Sequence, residues 1–136
     1  MTVARTGLSN IDGLLSGVKW DTPFITYSMP SLAASYDYSG ERDSGFRAAS
    51  AAQSAAIDRI LRHYEEVLDL DFRKSSSSGD SDIRFAGTKL TATAWAYEPS
   101  NISAAGDVWF NSSSPLFANP APGTYGNLVL IHEIGH

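Results

Sequence analysis

The sequence predicts an α/β (α+β) layer domain, and three observations carry that expectation. Short β-rich segments recur along the chain, one long segment has a helical period, and a second helical segment lies at the C-terminal end. The 136 residues are one domain's worth of polypeptide, enough to bury a core. An apolar share of 43% and a charged share of 18% are globular values rather than those of a disordered tail.

Taken in order, residues 11–20 (IDGLLSGVKW) hold a short apolar cluster with two glycines, a helical turn leading into a strand. Residues 24–29 alternate, are rich in β-formers and stop at Pro30, which predicts a strand. Residues 31–45 form a loop of Ser, Tyr, Asp and Gly. Over residues 46–70 the period lengthens: Ala49, Ala52, Ala56, Ile57, Ile60, Leu61, Tyr64, Val67 and Leu68 recur at three- and four-residue steps. Asp58, Arg59, Arg62, Glu65, Glu66 and Asp69 fall mainly on the other side, so the segment predicts a long amphipathic helix. A second strand starts over residues 70–73, and residues 74–81 (KSSSSGDS) make a flexible turn. Further strands are expected over 82–85, 90–97 (LTATAWAY) and 107–111. Prolines in the loop 111–123 stop regular structure, and Thr124 caps a final helix from about Tyr125. The expectation is five short strands, one long helix and one terminal helix, without internal repeats.

Charge and composition remove several function classes. The net charge is −5 and the basic residues are not clustered, which argues against a nucleic-acid surface. No apolar run approaches the roughly 20 residues of a membrane helix. Residues 1–10 carry one arginine and no apolar core, so they do not read as a Sec-type signal peptide. The chain has no cysteine, so any metal must be bound through nitrogen or oxygen.

The terminal residues His132-Glu133-Ile134-Gly135-His136 form an H-E-x-x-H pattern. Residues four apart share one helix face, so His132 and His136 can hold one metal ion, with Glu133 placed to handle a proton of water activated by that ion. A zinc site of this kind needs a third protein ligand, and the sequence stops before supplying one. The flanking Leu128-Val129-Leu130-Ile131 makes the helix apolar except at the motif, which predicts that it is buried. Gly135 is a poor helix former and makes sense where another segment approaches that turn closely. The alternative is a terminal amphipathic helix whose histidines are ordinary satisfied polar groups.

The other candidates are weaker. His63, on the long helix near the boundary of its two faces, reads as a boundary histidine sooner than as the third ligand. Asp80 and Asp82 flank a turn and read as solvated sooner than as cation ligands. No serine sits in a G-x-S-x-G elbow, and Gly40, Gly45 and Gly79 are isolated turn glycines rather than a phosphate cradle. Residues 90–97 read first as an ordinary sheet strand with Trp95 and Tyr97 in the core, and second as an exposed edge able to pair with an extended peptide.

IDGLLSGVKW, FITYSMP, the Ala-rich helix, DIRFAG, TATAWAYEP, GDVWFN and YGNLVLIHEIGH, in this order, resemble the catalytic domains of serralysin-type zinc metalloproteases, a bacterial branch of the metzincins. The resemblance runs from about Ile11 to His136. It implies a twisted, mostly parallel five-stranded sheet with an antiparallel edge strand, backed by the long helix and the zinc-binding helix. It implies His132 and His136 as zinc ligands and Glu133 as general base. It also implies that the strand around Ala94, Trp95, Ala96 and Tyr97 pairs with substrate backbone, which reverses the preference above.

The family pattern H-E-x-x-H-x-x-G-x-x-H is met only as far as its second histidine. The third ligand, the turn methionine (Met29 lies far upstream), its nearby tyrosine and the calcium-binding repeats fall outside this sequence. Residues 1–136 are therefore expected to be the N-terminal subdomain of a catalytic domain, cut after HEIGH. Zn2+ is the expected cofactor, with Ca2+ in the region not included. The expected partners are protein and peptide substrates, with no nucleic acid and no membrane, for a monomer exported to the extracellular space in one step. Two other classes stay open: a non-catalytic half-domain that pairs with peptides or acts as a scaffold, and an α+β protein with a chance HExxH.

Overall fold

Alternation along the strands decides which face of the sheet meets the helices. In β1 (Phe24–Ser28), Ile25 and Tyr27 enter one core while Thr26 and Ser28 turn to the opposite face. The computed structural model describes residues 2–13, 15–76 and 80–136. Five further strands follow: β2 (Arg47–Ala48), β3 (Asp71–Lys74), β4 (Ile83–Thr88), β5 (Ala94–Ala96) and β6 (Val108–Asn111). The order is β3-β1-β4-β6-β5, parallel throughout except for β5, which runs antiparallel to β6 at the edge. The sheet is thus mixed and mostly parallel, and the described residues form three α-helices: α1 (Ser9–Asp12), α2 (Ala51–Val67) and α3 (Tyr125–Ile134).

The sixth strand corrects the expected count of five. Residues 46–50 were expected to open the long helix, but Arg47 and Ala48 pair antiparallel with Gly87 and Ala86 of β4. They occupy the β4 edge that β1 uses at Ile83 and Arg84. The helix starts one step later because Ser50 caps it. The Ser50 hydroxyl accepts from the Gln53 N–H at 3.2 Å, and the Gln53 side chain accepts from the Ser50 N–H at 2.7 Å.

A second correction concerns residues 90–97, of which only Ala94–Ala96 is strand. The Thr88 and Thr91 hydroxyls accept from the N–H groups of Leu90 and Thr93, two residues on, and such local bonds compete with a ladder. At the other end of the sheet, β3 extends through Lys74, which was assigned to the turn. Residues 77–79 of that turn, Gly79 among them, lie outside the described residues. Near the N-terminus the helical turn falls at Ser9–Asp12, and the strand expected after it is a single bridge from Val18 to Thr2.

Two cores result. Ile57, Ile60 and Leu61 of α2 and Val129 and Leu130 of α3 pack on Ile25, Phe85, Val108 and Phe110. On the other sheet face, the loop after β1 lays Tyr36, Tyr38 and Phe46 over Ala86 and Trp109, with Trp95 and Tyr97 alongside. A buried ion pair pins that loop: Arg84 Nε and Nη2 donate to the two Asp107 carboxylate oxygens at 2.7 and 2.8 Å. Arg84 also donates to the Ser35 and Ser103 carbonyls, and Tyr38 donates its hydroxyl proton to Asp107. Burial pushes the Asp107 carboxyl up to about 6, against the opposing pull of its bonds from Arg84 and Tyr38.

Candidate metal centre

Thr124 begins the helix that carries the motif, its hydroxyl accepting from the Asn127 N–H at 3.2 Å. Gly126 lets α3 dock. A Cβ there would fall 2.0 Å from the Leu116 carbonyl oxygen, so only glycine admits the preceding loop so close to the first turn. Val129 and Leu130 then face the core. The expectation of a wholly buried helix holds for one side only, because Tyr125, Leu128, Ile131, His132 and His136 are exposed.

His132 and His136 come together as their spacing predicts. Their Nε2 atoms are 3.2 Å apart, and the rings meet edge to face with centroids 4.8 Å apart. Two imidazoles bound to one tetrahedral zinc at about 2.0–2.1 Å would hold their nitrogens about 3.3–3.4 Å apart. The pair therefore fits a shared ion. Without an ion, one ring can donate its N–H to the other, and exposure lets both do this at little cost.

Glu133 behaves differently from its neighbours. It is 9% exposed, and among the described residues none hydrogen-bonds its carboxylate. The covered part is its aliphatic stem, since the carboxylate oxygens remain open to the clefts that the residue lines. Glu133 and His132 line a cleft of about 420 Å³ with Thr93, Tyr125, Leu128 and Val129. On its other side Glu133 shares a narrow gap with Ala96, Tyr97, Ile134 and His136. The helix and the edge strand thus meet at the glutamate.

Within residues 90–97, the strand Ala94–Ala96 lies at the edge of the sheet. Trp95 and Tyr97 pack into the second core, yet β5 ends the sheet. The Tyr97 N–H donates to Asp107 and the Asn111 N–H donates to Thr93, so residues 93, 95 and 97 turn their backbone groups toward β6. By alternation, Ala94 and Ala96 turn theirs to the open side. Tyr97 is further anchored by its hydroxyl, which donates to buried Glu41.

The remaining candidates do not join this site. His63 is exposed on α2 and pairs with Glu66 at 3.3 Å. Asp82 bonds the Thr26 N–H and hydroxyl at 2.8 and 2.6 Å, tying β1 to β4, and with Asp80 it lines a separate polar cleft. Among the described residues no three His, Cys, Asp or Glu side chains gather closely enough to hold a metal. Nor is any described helix long and apolar enough to cross a membrane. Sequence reasoning passed over Thr93, Tyr125 and Leu128 as cleft residues and Tyr64 as the neighbour of the motif. Gly135 was the available signal for Tyr64, since a Cβ there would lie 2.7 Å from the Tyr64 hydroxyl.

The class defined by these features is an α/β domain whose HExxH helix lies beside an antiparallel sheet edge. No family model matches the chain. It is similar to serralysin A of Dickeya chrysanthemi, with 28% identity over 102 residues, or 69% of this chain and 22% of that protein. It is also similar to a serralysin of Photorhabdus laumondii, with 28% identity over 98 residues, or 68% of this chain and 20% of that protein. The chain spans about a fifth of the length of these curated relatives. Their name is that of the family whose motifs the sequence resembles.

Proposed function

We propose that this chain is the part of a secreted zinc metalloendopeptidase that carries two metal ligands, His132 and His136, the general base Glu133 and the substrate-pairing edge. The observation that carries the reading is the pair of imidazole nitrogens 3.2 Å apart, with the Glu133 carboxylate open to the cleft on the same turn and the edge strand beside it. Zinc bound there supplies Lewis acidity, which makes water easier to deprotonate and stabilises negative charge on an attacked carbonyl.

The chain's own residues do the rest. The free backbone groups of Ala94 and Ala96 hold an extended protein or peptide substrate as an added antiparallel strand. The Glu133 carboxylate accepts a proton from the attacking water and passes it to the departing amine nitrogen. A third ligand comes from outside the described residues, and activity belongs to the protein that supplies it. Export from the cell, and calcium bound elsewhere in the protein, belong to the same proposal.

The test is Glu133→Ala in a protein that joins these residues to the third ligand. The expected result is a loss of peptide hydrolysis of about 10²–10⁴-fold with zinc content retained. Unchanged hydrolysis would overturn the assignment.

A further inference from the structure

We infer that Tyr64 is a positioning residue for the two-histidine site, clamping the last turn of α3 from the neighbouring helix α2, and that Gly135 is present to admit it. The inference rests on the metal reading above and adds a residue outside the motif. Tyr64 reaches from α2 to donate its hydroxyl proton to the Ile131 carbonyl at 2.8 Å. That carbonyl also accepts from the Gly135 N–H at 3.1 Å, so both bonds meet on the turn joining His132 to His136.

Such a turn needs outside support. Beyond Ile134 the helical pattern loosens: Gly135 N–H is shared between the Ile131 and His132 carbonyls, and His136 N–H reaches back only to Glu133 at 3.3 Å. Tyr64, whose ring packs against the core, adds a second donor to the Ile131 carbonyl and so ties this turn to α2. A Cβ on residue 135 would stand 2.7 Å from the Tyr64 hydroxyl, the far end of that side chain, so glycine lets the phenol reach the turn without shifting away. Burial holds the phenol proton on, so the group stays a donor.

Helix propensity and the clamp give opposite signs for one substitution. Propensity alone makes Gly135→Ala favourable or neutral, because alanine is the better helix former. The clamp makes it harmful, because the methyl displaces the phenol. The experiment follows the His132 and His136 imidazole signals by NMR during zinc titration of the 136-residue chain, together with amide exchange at Gly135 and His136 without metal.

Tyr64→Phe and Gly135→Ala should each weaken zinc binding by roughly 3–10-fold, the scale of one lost hydrogen bond. Tyr64→Phe should also speed exchange of the Gly135 amide. In the double variant the alanine no longer meets a hydroxyl, so binding should be no weaker than in Tyr64→Phe alone. Multiplying effects, or a Gly135→Ala chain that binds as well as the parent, would overturn the clamp. Should Gly135→Ala fail to fold, the Tyr64→Phe binding and exchange measurements decide alone. A parent chain whose imidazoles do not respond to zinc would instead defeat the metal reading, and unchanged amide exchange in Tyr64→Phe would then defeat the clamp separately.

Discussion

His132 and His136 sit one turn apart, and their nitrogens already stand at the separation a shared ion requires. Two neutral ligands without a third leave half of a tetrahedral shell to water. The 136-residue chain is therefore expected to bind zinc more weakly than micromolar, and His132→Ala to abolish even that. Isothermal titration measures both, and sub-micromolar affinity in the parent would show that two histidines suffice. At this scale the geometry was readable: an i,i+4 spacing predicts that the two imidazoles meet. What spacing does not reveal is that Glu133 alone of the three is buried, since burial depends on what the rest of the chain places above it.

Among the elements, α3 owes its position to contacts at its two ends. Gly126 meets the loop at Leu116 in the first turn, and Gly135 meets Tyr64 in the last. Gly126→Ala should cost about 1–3 kcal/mol, as overpacking against backbone does, with a lowered thermal midpoint as the readout. An unchanged midpoint would mean that the loop yields freely. The elements themselves were largely legible, because strand alternation and the helical period are local properties. The misreadings share a cause: Phe46 to Ala49 carried a helix-compatible pattern, yet the β4 edge opposite β6 was open to pairing, and the Ser50–Gln53 box started the helix later. Leu90 to Thr93 similarly reads as β-rich, but threonine hydroxyls satisfied the backbone locally instead.

Across the whole molecule, the Arg84–Asp107 pair ties the aromatic loop to the sheet face opposite the helices. Burial raises the Asp107 carboxyl from 3.8 to about 6, so the folded chain holds more protons than the unfolded one between those values. That group's contribution to stability is fully present below about pH 4 and is lost as pH rises through about 6. Urea midpoints measured across this interval should fall more steeply in the parent than in Asp107→Asn, which has no carboxyl to ionise. Parallel profiles would refute the linkage.

By itself the sequence determined the kind of domain, the helix that carries the HExxH motif, and the spacing that brings His132 and His136 together. These follow from short-range periodicity and from the fixed geometry of one helical turn. Only the tertiary structure decided that Ala94 and Ala96 turn their backbone groups to the open side of β5, that this edge meets α3 at Glu133, and that Tyr64 closes on the turn between the histidines. Those relations join residues far apart in the chain. They depend on which strand pairs with which and on how closely two helices approach, and no local pattern encodes either.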